Sequence, residues 1–137
     1  MARDIIHEAV KSALTKDGWT VTDDPFHIKY KDLELQADLG AERPIAAFKA
    51  GRKIAVEIKS FVGRSLISEL YAALGQYSVY LDLLQETEPD RKLFLAVSDL
   101  VYHDFFQLEA VQFIVARESL ALLIVNTQTE EVTQWIN

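Results

Sequence analysis

The chain has no cysteine among its 137 residues. This excludes a disulfide framework and a thiolate metal site, and it suits a cytoplasmic protein. Glycine and proline contribute only five and three residues, which excludes collagen-like and low-complexity classes. No apolar run approaches the ~18 residues of a membrane-spanning helix. The N-terminal sequence lacks a basic stretch followed by an apolar core, so we expect neither a membrane segment nor a signal peptide.

What the chain does contain is typical of one globular domain spanning residues 1–137. Half of its residues are hydrophobic, enough for a substantial core at this length. The net charge of −7 argues against a general nucleic-acid coat. However, residues 1–64 carry a net charge of +1 and residues 65–137 carry −8. Six basic residues lie between Arg43 and Arg64. Contact with a polyanion and ordinary solvated strand residues explain this cluster equally well.

Hydrophobic periodicity predicts a mixed sheet flanked by helices, an α/β fold. We expect an antiparallel meander first, with a hairpin around Gly51-Arg52, and then a parallel crossover through a long helix. The predicted helices are Arg3–Lys16, Ser65–Gln85, Asp99–Phe106 and Glu109–Arg117. The predicted strands are Trp19–Thr22, Phe26–Tyr30, Leu33–Leu39, Ile45–Ala50, Lys53–Ser60, Lys92–Ser98, Leu120–Asn126 and Glu131–Ile136.

The strand Lys53–Ser60 carries an unusual polar pair. Its aliphatic residues alternate with polar ones, so Glu57 and Lys59 share one face. Ionic groups in a covered strand cost several kcal/mol unless they are paired or bind a metal. On this stretch alone, a Glu–Lys pair on a solvated face is the favoured interpretation.

A metal site is the alternative interpretation, because Asp38 ends a nearby predicted strand. Asp38 and Glu57 could together hold a hard divalent cation such as Mg²⁺, with Glu8 as an outer ligand and the Ile58 carbonyl as a further one. Such an ion activates water and stabilises charge on a phosphoryl oxygen, and Lys59 beside it could orient the water. A Gly-rich phosphate loop and a His-Glu-x-x-His motif are absent. The three histidines do not cluster in the sequence, and we expect surface or core roles for them.

An aspartate followed by Glu-x-Lys and then a helix is the pattern of the PD-(D/E)XK nuclease superfamily. Longer stretches resemble the XisH family, the fdxN element excision-controlling factors of cyanobacteria. These stretches are Ala37–Glu42, Ile54–Phe61 and Ala73–Tyr77, with similar text at Asp4–His7, Lys16–Trp19 and Gln134–Ile136. The resemblance therefore spans essentially the whole chain.

This resemblance implies a restriction-endonuclease-like fold and a set of site residues. Asp38 and Glu57 match metal positions, Lys59 the catalytic lysine, and Glu8 the acid of the first helix. Gln76 and Tyr80 match a Gln-x-x-x-Tyr found in some nuclease subfamilies, so Gln76 is expected to steady the site. Two departures are Ala37 in place of the leading proline of the motif and Phe48 where the family often has Glu. The implied cofactor is Mg²⁺ or Mn²⁺.

Two functions follow as hypotheses. The first is metal-dependent phosphodiester hydrolysis on DNA, with Asp38, Glu57, Lys59 and Gln76 at the site. The second is a non-catalytic regulatory subunit that binds a site-specific recombinase or another excision factor, which the acidic half of the chain favours. The C-terminal strand with Trp135 could pair in a homodimer, although an intramolecular role is equally compatible with its sequence.

Overall fold

The computed structural model describes residues 2–43 and 51–137, with side chains from residue 6 onward. Within these residues, four helices and eight strands follow one another along the chain. The helices are α1 (Ala2–Lys16), α2 (Leu66–Thr87), α3 (Asp99–Asp104) and α4 (Glu109–Arg117). The strands are β1 (Thr20–Asp23), β2 (Phe26–Tyr30), β3 (Leu33–Ala37), β4 (Leu39–Arg43), β5 (Arg52–Ile58), β6 (Arg91–Ser98), β7 (Leu122–Asn126) and β8 (Glu131–Ile136).

Six strands form one mixed sheet in the order β1-β4-β5-β6-β7-β8. The β5–β6 and β6–β7 pairs are parallel, and the other pairs of this sheet are antiparallel. The predicted crossover through the long helix onto a parallel strand is thus confirmed. So is the predicted fold class, an α/β mixed sheet flanked by helices, as in a restriction-endonuclease-like domain.

The sheet separates two hydrophobic cores. On one face, α1 packs with Trp19, Phe94 and the aliphatic residues of β4, β5 and β7. On the other face, α2, α3 and α4 pack against the sheet, together with Phe26 and Ile28 of the β2–β3 hairpin. Because strand side chains alternate in direction, the apolar residues of β6 and β7 supply both cores. Among the described residues, no helix is both long and apolar enough to cross a membrane.

The predicted antiparallel meander is wrong in its middle. The β2–β3 hairpin forms a separate two-stranded sheet, and β1 pairs directly with β4. The strand predicted at Leu33–Leu39 is interrupted at Asp38, where the chain passes from the hairpin into the main sheet. Gly40 lies inside β4. A Cβ there would come within 2.7 Å of the Phe26 ring, so close packing accounts for this glycine.

The predicted strand at Ile45–Ala50 lies outside the described residues. The antiparallel neighbour of β5 is β4, and Arg43 pairs with Arg52 in its register. The predicted start of the long helix is confirmed, because the Ser65 hydroxyl accepts a hydrogen bond from the Ser68 N–H at 3.2 Å.

Candidate functional site

The two predicted acids meet where β4 begins and β5 ends. Leu39 pairs with Val56 in the antiparallel register, which places the preceding Asp38 beside Glu57. The sequence predicts a short strand between them, whereas the structure makes β4 and β5 direct neighbours. Both acidic residues are buried, with 8% and 7% of their surfaces exposed. Burial at this level requires compensating partners or a bound cation.

A polar cavity of about 360 Å³ opens over these acids. Asp38, Glu57, Lys59 and Gln76, the four predicted catalytic residues, all line it. The other lining residues are Ile6, Gln36, Ile58, Ser60, Glu69 and Tyr80. Four elements of the fold, α1, α2, β3 and β5, therefore contribute to its walls.

The polar contacts tie Asp38 to the strand that carries Glu57 and Lys59. The Ile58 N–H donates a hydrogen bond to Asp38 Oδ2 at 2.7 Å. Lys59 Nζ lies 3.6 Å from Glu57 Oε2. This contact is the Glu57–Lys59 pair expected from the strand pattern, but Glu57 is buried and so does not lie on a solvated face.

The electrostatics of the cavity act most strongly on Glu57. Burial, followed by the negative charge of Asp38, raises the pKa of Glu57 to about 7, although Lys59 opposes this rise. Burial, followed by the charges of the same two carboxylates, also raises the pKa of the Tyr80 hydroxyl. A cation bound between the carboxylates would relieve their repulsion, since it favours their charged forms.

Gln76 and Tyr80 lie on α2 above the carboxylates. The Tyr80 hydroxyl donates to the Gln36 carbonyl at 3.1 Å, which joins α2 to the β2–β3 hairpin. The Gln76 Oε1 atom is buried and has no hydrogen-bond partner among the described residues. An orphaned amide oxygen beside two carboxylates adds a third oxygen donor, so this donor set fits a hard divalent cation or its water ligands.

Sequence reasoning missed Glu69 as a wall of the cavity. Glu69 lies seven residues before Gln76, and that spacing on one helical flank was a usable signal. Its carboxylate accepts a hydrogen bond from the Gly63 N–H. The segment that follows Lys59 is therefore held against α2. The same segment contains Phe61 with a φ of +53°, whose ring packs on Phe105 and Phe106 at 5.9 and 5.5 Å.

Glu8, the predicted outer ligand, is not among the residues lining this cavity. Glu8 is exposed. Its carboxylate lies near His7 and Asp24, and the potential ligand atoms of these three residues are within 4.8 Å of one another. Asp24 is already engaged there, by His7 Nε2 and by Lys11 Nζ, each at 2.8 Å. His7 Nδ1 lies 4.0 Å from Asp38 Oδ1, so His7 connects this group to the cavity. Nothing in the sequence pattern indicated that contact.

The predicted basic cluster is divided by the structure. Lys59 lines the carboxylate cavity, whereas Arg43 and Arg52 line a different cavity at the other end of β4 and β5. Lys49 lies outside the described residues. Among the described residues of this cluster, Lys59 is the one that lines the carboxylate cavity.

Comparisons with known proteins agree with this architecture. The family model described as XisH protein matches residues 1–133. The crystal structure of an XisH family protein from Nostoc punctiforme PCC 73102 has a TM-score of 0.90 and 41% identity, over 98% of this chain and 100% of that one. The structure of an fdxN element excision controlling factor protein from Anabaena variabilis has a TM-score of 0.89 and 44% identity, over 98% of this chain and 99% of that one. No curated protein matches the chain significantly. The match over almost the whole length shows that this chain belongs to the XisH family.

Proposed function

We propose that this protein acts in the excision of a DNA element by hydrolysing phosphodiester bonds with a divalent metal ion. The observation that carries the proposal is the pair of buried carboxylates, Asp38 and Glu57, beside Lys59 in one polar cavity. This arrangement is the one expected of a PD-(D/E)XK nuclease. The role in excision rests on the likeness to the Anabaena variabilis protein, which is described as an excision controlling factor.

The residues at this site would have distinct roles. Asp38 and Glu57 would hold the metal ion, Mg²⁺ or Mn²⁺, with the Gln76 amide oxygen steadying a ligand of that ion. When bound, such an ion would activate water and stabilise charge on the phosphoryl oxygen. Lys59 presents its ammonium group at the cavity, where it can orient the attacking water or bind a phosphate oxygen. The Ile58 N–H fixes the orientation of Asp38, because it donates to one carboxylate oxygen at 2.7 Å.

The proposal predicts Mg²⁺- or Mn²⁺-dependent nicking of supercoiled plasmid or branched DNA. Glu57→Ala and Lys59→Ala should each lower the rate by about 100-fold or more, since each removes a group that acts in the transition state. The matched controls are Glu34→Ala on the exposed hairpin and Lys53→Ala at the far end of β5, which should cleave like the parent protein.

Two results would count against hydrolysis. One is the absence of metal-dependent cleavage by the parent protein. The other is equal cleavage by the parent, Glu57→Ala and Lys59→Ala proteins, which would point to a contaminating nuclease. Calorimetric titration with Mn²⁺ separates binding from catalysis, because Glu57→Gln should weaken Mn²⁺ binding whether or not DNA is cut.

A regulatory subunit is the second candidate, and one observation favours it. The α3–α4 region exposes three large apolar side chains, Leu100, Leu108 and Phe113, each more than half exposed. They lie in the acidic half of the chain, which suits a protein partner better than DNA. This candidate would be supported if the parent protein captures a site-specific recombinase or a second excision factor and the Phe113→Ser variant does not.

A further inference from the structure

A second cavity lies at the end of the sheet opposite the carboxylates. Its volume is about 190 Å³, enough for a phosphate group and a few waters. It is lined by Trp19, Arg43, Arg52, Phe94, Trp135 and Asn137. The strand β5 runs from Arg52 to Glu57 and Ile58, so roughly 17 Å of extended chain separates the two cavities. Among these lining residues, the two arginines carry positive side-chain charge.

The two arginines face each other across neighbouring strands. Arg43 and Arg52 are direct partners in the antiparallel register, so their side chains leave the sheet on the same side. Like charges placed directly opposite destabilise a sheet. Arg43 has a partial partner in Asp17, whose Oδ2 lies 3.8 Å from Nη1. Among the described residues no carboxylate pairs with Arg52, whose guanidinium lies 5.9 Å from the Trp19 ring centroid.

Trp19 lines the same cavity and carries a buried polar group. The residue is only 4% exposed, and its indole Nε1 is buried without an acceptor among the described residues. An indole N–H can only donate, and a buried donor left unpaired is costly. Contact with Trp135, at 5.7 Å between ring centroids, holds the ring in place. Trp19 therefore forms a packed wall of the cavity.

We propose that this cavity binds a phosphate oxyanion through the guanidinium groups of Arg43 and Arg52, with Trp19 as a wall of the site. One tetrahedral oxyanion can accept hydrogen bonds from both guanidinium groups and offset the repulsion between these directly opposed side chains. A neutral water molecule would leave the facing charges in place. The site is separate from the carboxylate cavity, and its existence does not depend on hydrolysis there.

Nuclear magnetic resonance tests the site directly, because the chain has only two tryptophans. Uniformly ¹⁵N-labelled protein gives two indole N–H signals, and Trp135→Phe assigns them. Titration with sodium phosphate, at an ionic strength held constant with sodium chloride, should shift the Trp19 signal in a saturable way. Arg52→Gln should weaken this binding at least tenfold. Lys53→Gln removes the same charge from the next residue, whose side chain leaves the opposite face, and should bind like the parent protein.

The source of the phosphate is distinguished with a trinucleotide that carries either a 5′-phosphate or a 5′-hydroxyl. If inorganic phosphate and the 5′-phosphorylated trinucleotide shift the Trp19 signal but the 5′-hydroxyl form does not, the ligand is a terminal phosphate group. A shift with both trinucleotides supports a backbone phosphate, and a shift with inorganic phosphate alone supports the free ion. An equal shift with chloride, no saturation, or the same affinity in Arg52→Gln as in the parent overturns the proposal. A dispersed spectrum of Arg52→Gln shows that this variant is folded.

Discussion

The protonation of Glu57 makes the stability of the protein depend on pH. Its pKa is raised to about 7 from an ordinary value of 4.5. Between these two pH values the unfolded chain has released the proton and the folded chain still holds it. Because the folded state then binds more protons, the free energy of unfolding falls as pH rises through this window. The full difference corresponds to on the order of 3 kcal/mol.

Glu57→Gln should remove this dependence on pH. In EDTA, the variant and the parent should have similar free energies of unfolding at pH 4.5, and the variant should be the more stable by about 3 kcal/mol above pH 7.5. Urea unfolding across this range measures the difference. Glu34→Gln on the exposed hairpin is the control and should follow the parent. A constant difference between Glu57→Gln and the parent at all pH values would contradict the raised pKa.

Among the elements, α2 supplies three of the residues that line the carboxylate cavity. Tyr77 of this helix anchors α2 to the sheet. The Tyr77 hydroxyl donates to the Leu93 carbonyl at 3.0 Å and accepts from the Ala121 N–H at 3.2 Å. Both backbone groups are buried, and so is Tyr77. One side chain therefore links α2 to β6 and to the segment before β7.

Tyr77→Phe should destabilise the protein by about 2 kcal/mol, because it leaves a buried carbonyl and a buried N–H without this partner. Denaturant unfolding at pH 7 measures the change. Tyr71→Phe is the matched control, since Tyr71 lies on the same helix and is 66% exposed. If both variants were equally stable, the hydroxyl of Tyr77 would contribute nothing to the joining of α2 and the sheet.

Sequence patterns predicted the elements better than their pairing. The periodicity of α1, α2 and the apolar strands was strong, and it located nearly all of them. The meander failed because the alternation from Leu33 to Leu39 is continuous through Asp38, so nothing local marks the change of sheet there. The need for a glycine at position 40 also has a distant cause, the ring of Phe26. Contacts between segments far apart in the chain decide both points.

The site was predictable where short spacing determines geometry. The period of a strand placed Glu57 and Lys59 on one face, and the family resemblance added Gln76 and Tyr80. These four are among the ten residues that line the cavity. The contact between His7 and Asp38 depends on how α1 lies across the sheet, which no spacing encodes. The same packing decides the place of Glu8, whose position beside the apolar stripe of α1 suits either a surface or a cleft.

At the scale of the molecule, one sheet shared by two cores predicts a single cooperative unfolding transition. Both tryptophans belong to the core on the α1 face, so their fluorescence reports that side. Far-UV circular dichroism is weighted toward helices, of which α2 is the longest with 22 residues and packs on the other face. The two signals should give the same urea midpoint.

The Tyr77→Phe variant sharpens this test. Its substitution lies on the α2 face, yet in a single cooperative unit it should lower the midpoint of the tryptophan signal as much as that of the helical signal. Different midpoints in either protein would instead indicate two units that unfold separately. Homodimer formation along the edge strand β8 stays a prediction, and sedimentation over a range of concentrations measures it.

The β2–β3 hairpin has a consequence for how this family can vary. The hairpin leaves the main sheet after β1 and returns at β4, and Asp23 and Gly40 are paired where it leaves and returns. An excursion whose two ends already touch can lengthen or shorten at a small entropic cost. Changes in the length of the hairpin could therefore remodel this rim of the cavity, while Asp38 at the returning end keeps its position in the sheet.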